Sequence, residues 1–188
     1  CTYEFLAHHI QRMGVKVDFI DTSVEAELKE ALKPETKIVY LETPANPNLK
    51  ITDLKKVSGL VHKYNPNIKV ICDNTFASPY LQNPLKEGAD IVVHSATKYI
   101  NGHGDLLAGF VIGDTETIMN ARFIGVKDMT GSVIAANEAF LILRGLKTLE
   151  IRMERHCASA MKIAEYLDKN PKIEKVFYPG LATHEGHD

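Results

Sequence analysis

Apolar runs of strand length alternate with amphipathic helical stretches along this chain. That alternation restricts its fold more than any other feature. Lys37 to Leu41, Ile68 to Cys72, Ile91 to His94 and Ala108 to Ile112 read as strands. Between the first two, Asp53 to Tyr64 sets Leu54, Val57, Leu60, Val61 and Tyr64 on one helical face. Upstream, Tyr3 to Met13 reads as a helix stopped by Gly14, and Val15 to Ile20 as a further strand. Thr22 and Glu25 have capping-box spacing for a helix reaching about Leu32, with Pro34 beyond it. Most strand runs are almost continuously apolar, which predicts burial on both faces, as in a parallel sheet. The fold class expected is α/β, a mostly parallel sheet flanked by helices.

Helical periodicity dominates from Glu116 onward. Thr148 to Asp168 reads as one long helix carrying Leu149, Met153, Cys157, Met161, Ala164 and Leu167 inward. Lys175 to Tyr178 reads as a strand after Pro171. A boundary is expected near Gly145 to Leu149, dividing the chain into a large domain, 1–148, and the start of a smaller α/β domain, 149–188. There is no internal repeat or low-complexity stretch.

The 188 residues, 45% of them hydrophobic, suffice for one core and the beginning of a second. A net charge of −2 gives no sign of a nucleic acid or an anionic membrane as partner. The apolar runs are far too short to span a bilayer. No signal peptide is visible, although the chain begins at Cys1 without a methionine. Cys1, Cys72 and Cys157 are too scattered for a disulfide framework or a zinc pattern, which fits a reducing, cytoplasmic setting.

In open α/β sheets, ligands bind beyond the carboxyl ends of the strands. The third apolar strand runs into Ser95-Ala96-Thr97-Lys98. A lysine there, with hydroxyls one and three residues before it, can form a Schiff base with pyridoxal phosphate while the hydroxyls hold the phosphate. Read singly, Lys98 is a surface lysine, and Ser95 and Thr97 are turn formers. The glycines of Gly102-His103-Gly104, which let a bulky ligand approach the backbone, favour the site reading. Asp73 ends the preceding strand and could pair with the protonated ring nitrogen of that cofactor. By itself Asp73 would read as a turn or cap residue. Asn46, in Glu42-Thr43-Pro44-Ala45-Asn46-Pro47, is either part of a proline-held turn or an amide mounted to touch the cofactor's phenolic oxygen.

Other signals fail. Gly102-His103-Gly104 lacks the third glycine of a dinucleotide fingerprint, since position 107 is leucine. No Walker loop or nucleophile-elbow serine is present. His8-His9 and His184-Glu185-Gly186-His187 do not match zinc-protease spacing, so no metal site is expected.

The stretch from Asp90 to Gly104, with Ser-Ala-Thr-Lys-Tyr-Ile-Asn-Gly-His-Gly, resembles the cofactor-attachment signature of the Cys/Met-metabolism pyridoxal-phosphate enzymes. That family holds cystathionine synthases and lyases and methionine gamma-lyase. Glu42 to Pro47, Asp73-Asn74-Thr75-Phe76 and Arg144 to Leu149 are similar to the same family. The resemblance implies pyridoxal 5'-phosphate as cofactor, Lys98 as Schiff-base lysine and Asp73 as partner of the ring nitrogen. It implies Ser95 and Thr97 at the phosphate and Asn46 at the ring hydroxyl.

Within the family, Cys1-Thr2 and Lys127-Asp128-Met129-Thr130-Gly131 are similar to the methionine gamma-lyase branch. By that resemblance Cys1, Lys127 and Asp128 shape the pocket for the substrate's side chain. The implied reaction is gamma-elimination of L-methionine to methanethiol, ammonia and 2-oxobutyrate. Cystathionine gamma-lyase or synthase activity, or a fragment without catalysis of its own, remain alternatives. Family members are roughly twice this long. A phosphate loop, a ring-stacking tyrosine and a carboxylate-binding arginine are therefore expected outside these residues. The implied partners are a small sulfur amino acid and further copies of the chain, as a dimer of dimers.

Overall fold

The structure, a computed structural model, describes residues 2–187. Four strands form one sheet in the order β1-β2-β3-β4: β1 Ile38–Glu42, β2 Lys69–Asp73, β3 Ile91–Ser95 and β4 Gly109–Gly113. The first three are parallel and β4 returns antiparallel to β3. All four lie within about a residue of the expected runs. Helix α1, Thr2–Glu4, continues as a π-helical turn, Phe5–His9, and a 3-10 turn, Ile10–Met13, and Gly14 stops it at φ 84°. Only glycine enters that left-handed region without steric cost. The second helix, α2, spans Glu25–Ala31.

Parallel strands need a crossover, and α3, Leu54–Tyr64, supplies it between β1 and β2. Asp53 caps α3 by accepting from the Lys56 amide. Its buried residues Leu54, Val57 and Val61 pack on Val39, Leu41, Val70 and Cys72, with Leu28 and Ile68 completing the core. Each such fully buried aliphatic side chain contributes roughly 1.5–3 kcal/mol. Tyr64, expected on the same face, is exposed. The β2–β3 connection runs through α4, Ser78–Leu81, and a 3-10 turn, Pro84–Glu87.

The helical second part has α5, Thr115–Asn120, running into a π-helical segment, Ala121–Thr130, then α6, Ala136–Leu146, and α7, Leu149–Asp168. In α7, Leu149, Met153 and Ala164 are buried and Cys157, Met161 and Leu167 are half-buried, the predicted face. A second small core, Ala96, Ile100, Leu106 and Ile142, joins the turn after β3 to α6.

Four expectations need correction. Val15 to Ile20 has no regular secondary structure and joins no strand of the described residues. Lys175 to Tyr178 likewise forms no strand, and the Lys175 ammonium sits 4.8 Å above the Phe177 ring. The capping box does not form. Val24 is the N-cap of α2 without a side-chain bond, Thr22 bonds the Thr52 hydroxyl, and Glu25 pairs with Lys29 and Lys56. With the helix starting at Glu25, Thr22 and Glu25 do not occupy the N-cap and third helical positions that the box requires. Nor is the sheet buried on both faces. Burial alternates along β1 and β2: Val39, Leu41, Val70 and Cys72 are buried, while Tyr40, Glu42, Ile71 and Asp73 are half-exposed.

Candidate active site

The half-exposed face of the sheet carries the candidate groups. In register, Glu42 lies beside Asp73, Asp73 beside Val93, and Ser95 ends β3 two residues further on. Neighbouring positions in register share a face, so Glu42, Asp73 and Ser95 gather at one sheet end. Residues 96–101 turn away immediately. The Lys98 amide donates to the Ser95 carbonyl at 3.1 Å and the Lys98 carbonyl accepts from the Gly102 amide at 2.7 Å. Lys98 itself is exposed, and no ion pair among the described residues includes it.

Asp73 is tightly bound. Its Oδ1 accepts from the Thr75 amide at 3.0 Å and the Thr75 hydroxyl at 2.6 Å. Its Oδ2 accepts from the Tyr40 hydroxyl at 3.2 Å. A carboxylate offers about four acceptor positions. Three are taken, and the remaining one is on Oδ2. The same Thr75 Oγ1 accepts from the Ser95 amide at 2.8 Å, tying the ends of β2 and β3 together.

Glu42 is pushed above the usual carboxylate range, first by burial and then, against the opposing Asn46 amide, by the charge of Asp73. No Lys, Arg or His of the described residues pairs with Glu42 or Asp73. Asn46 is exposed in the loop after β1, and its amide donates to Glu42 Oε2 at 3.2 Å. Thr97 is less free than its sequence position suggests. Its hydroxyl donates to the Ala108 carbonyl at 3.2 Å and accepts from the Ala108 amide at 3.0 Å, anchoring the turn to the segment before β4.

The turn carrying Lys98 is also held from behind. Arg152, in the first turns of α7, donates to the carbonyls of Tyr99 at 2.6 Å, Ile100 at 3.4 Å and Gly145 at 2.9 Å. Its Nε reaches the Thr148 hydroxyl at 3.0 Å. On the opposite face, His94 is buried beside a 390 Å³ cavity lined by Val92, Ile100, Phe110 and Leu146. Its Nδ1 has no partner among the described residues, and burial lowers its proton affinity against the opposing Asp73 charge. A 520 Å³ cavity lies between Phe76, Tyr99, Met153 and Tyr178. Neither cavity is lined by Lys98, Asp73 or Ser95.

The structure thus brings Asp73, Ser95, Lys98 and Asn46 to one end of the sheet, with Thr97 in the same turn. It does not bring Lys127 and Asp128 there. Both are exposed on the π-helical segment, paired with each other at 3.0 Å, and that segment packs chiefly on α5. Cys1 lies outside the described residues. Tyr40 and Thr75 are functional candidates that sequence reasoning did not single out. The Asp-x-Thr spacing of a side-chain turn was a signal for Thr75. Nothing in the sequence pointed to Tyr40.

Pyridoxal phosphate fits what is present. Among the described residues the two carboxylates lack a cation, Asp73 keeps one open acceptor position, and Lys98 offers an amine with no ion-pair partner at the same strand ends. Among the described residues no group of three or more His, Cys, Asp or Glu is placed to hold a metal ion. No helix of the described residues is long and apolar enough to cross a membrane.

Residues 1–188 match the family described as Cys/Met metabolism PLP-dependent enzyme. An L-methionine gamma-lyase of Fusobacterium nucleatum subsp. polymorphum is 60% identical over 188 residues, covering 100% of this chain and 47% of the relative. A cystathionine beta-lyase of Coxiella burnetii is 45% identical over 93% of this chain and 44% of its own length. The crystal structure of metB from Corynebacterium glutamicum superposes with a TM-score of 0.92 at 46% identity, covering 99% of this chain and 48% of that one. The chain spans about half the length of the curated relatives it matches.

Proposed function

The chain belongs to the Cys/Met metabolism PLP-dependent enzymes, and from that premise we propose that it carries the cofactor-attachment half of a methionine gamma-lyase. The observation that supports this branch is the 60% identity to an L-methionine gamma-lyase, against 45% to a cystathionine beta-lyase. The reaction proposed is gamma-elimination of L-methionine to methanethiol, ammonia and 2-oxobutyrate.

When bound, pyridoxal phosphate supplies an electron sink for the charge left as the substrate loses its α-proton. The chain's own residues prepare and use that sink. Lys98 Nζ would hold the cofactor and, when free, would remove the substrate's α-proton as general base. The same amine carries protons onward to activate the β-carbon. Asp73 Oδ2 keeps the ring nitrogen protonated through its one free acceptor position. Ser95 Oγ donates to the phosphate, and Thr97 joins it by exchanging its bond to the Ala108 carbonyl. The side-chain amide of Asn46 would meet the ring hydroxyl.

Cys1, Lys127 and Asp128 are assigned to the substrate's side chain on resemblance. Residues 1–148 are taken as most of the cofactor domain and 149–188 as the beginning of the next. The whole enzyme is proposed to be a cytoplasmic homo-oligomer.

Product analysis on a protein of the relatives' length carrying these residues tests the reading. Methanethiol and 2-oxobutyrate from L-methionine are expected. Turnover of cystathionine with none of methionine would favour a cystathionine enzyme, the reading that the 45% identity supports.

A further inference from the structure

The carboxylate of Asp73 is fixed from two sides by neighbours of different kinds. Thr75 is two residues away in sequence and any Asp-x-Thr turn could supply it. Tyr40 comes from another strand. It lies in register with Ile71, on the same face as Asp73, and reaches diagonally to Oδ2 at 3.2 Å. Its phenol is held protonated. Burial raises its proton affinity most, the charge of Asp73 raises it further, and the Thr2 hydroxyl opposes them. With its proton kept, the phenol is the donor in the bond to Asp73 Oδ2.

We infer that Tyr40 is a positioning residue for Asp73, holding the carboxylate plane so that its last open acceptor direction meets the cofactor's ring nitrogen. This rests on the proposal that Asp73 is the ring-nitrogen partner. Without the phenol, Oδ2 has two open positions and the carboxylate is held at Oδ1 alone. It can then pivot about the Thr75 bonds, and the ring nitrogen meets a less defined partner. A phenylalanine fills the same space without the hydroxyl, so packing against Ile71 survives the change.

The test is a double-mutant cycle in a protein of the relatives' length carrying these residues: wild type, Tyr40→Phe, Asp73→Asn and the pair. Cofactor dissociation constant, absorption band of the bound cofactor, thermal midpoint and kcat are read in each. Losing one hydrogen bond to a charged group should weaken cofactor binding and lower kcat about tenfold in Tyr40→Phe. The absorption band should move in the same direction as in Asp73→Asn, but less, with little change in thermal midpoint. In the Asp73→Asn background the Tyr40→Phe change should have almost no effect. If Tyr40→Phe leaves the band, the dissociation constant and kcat at wild-type values while Asp73→Asn disturbs them, the inference about Tyr40 is overturned and the Asp73 assignment stands. Equal losses in both backgrounds, with a lowered midpoint, would reduce Tyr40 to a packing residue and overturn it too. If Asp73→Asn changes nothing, the Asp73 assignment itself falls, and this inference with it.

Discussion

Gly145 of α6 is in backbone contact with Asn101, so close that a β-carbon at 145 would overlap the Asn101 carbonyl oxygen. Asn101 closes the turn that begins at Ala96 and carries Lys98, its amide donating to the Ala96 carbonyl at 2.9 Å. A missing side chain on one helix therefore sets how deeply the lysine turn seats.

Gly145→Ala should push α6 and the turn apart. The obstacle is backbone, which cannot swing aside as a side-chain tip would. Overpacking of this kind costs about 1–3 kcal/mol. Thermal unfolding should show a lowered midpoint, and cofactor affinity should fall with it. An unchanged midpoint would mean that the contact relaxes freely.

Lys98→Ala should abolish covalent attachment of the cofactor and turnover, while leaving the midpoint nearly unchanged, because the side chain is exposed. Borohydride reduction followed by peptide mapping reads this directly. Cofactor trapped on any lysine other than Lys98 would refute the assignment.

Thr75→Val should be worse than Thr75→Ser. Valine keeps the shape but leaves the Ser95 amide without its acceptor and removes the 2.6 Å donor from Asp73 Oδ1. Leaving such a group unpaired costs about 1–3 kcal/mol. Serine restores both bonds, so its stability and kcat should stay near wild type. Equal loss in both variants would point to the methyl group and not the hydroxyl.

His94 should make stability fall on mild acidification. Its folded-state affinity for a proton lies below the ordinary value of 6.5, mainly because it is buried. Below that pH the unfolded chain binds a proton that the folded chain resists, so its contribution is full above 6.5 and is lost as pH falls. Unfolding midpoints measured from about pH 7 down to about pH 5 should decline in wild type. In His94→Gln, which cannot titrate, the decline over that interval should be smaller. Identical slopes would show that His94 is not the group responsible.

What could be read from the sequence follows from the range of the forces involved. Asp53 and the periodicity of Leu54, Val57 and Val61 are local signals, and α3 forms as expected. Lys98, Asp73 and Ser95 were legible as a group because strand ends of a parallel sheet share one side of the molecule. Tyr40 escaped because its bond to Asp73 depends on cross-strand register, which no local pattern encodes. Val15 to Ile20 failed for a related reason: β propensity describes a surface that suits a partner, and none of the described residues provides one. Glu25 failed as a capping residue because α2 starts at Glu25 itself, two residues later than a helix capped by Thr22 would.

Arg152 gives the helix that carries it a mechanical role. Its guanidinium grips the carbonyls of Tyr99 and Ile100 on one side and Gly145 on the other. The twenty residues of α7 make a rod about 30 Å long with that grip near one end. The peptide next to Lys98 is therefore fastened to a helix outside the sheet, and its seat depends on that helix as well as on β3.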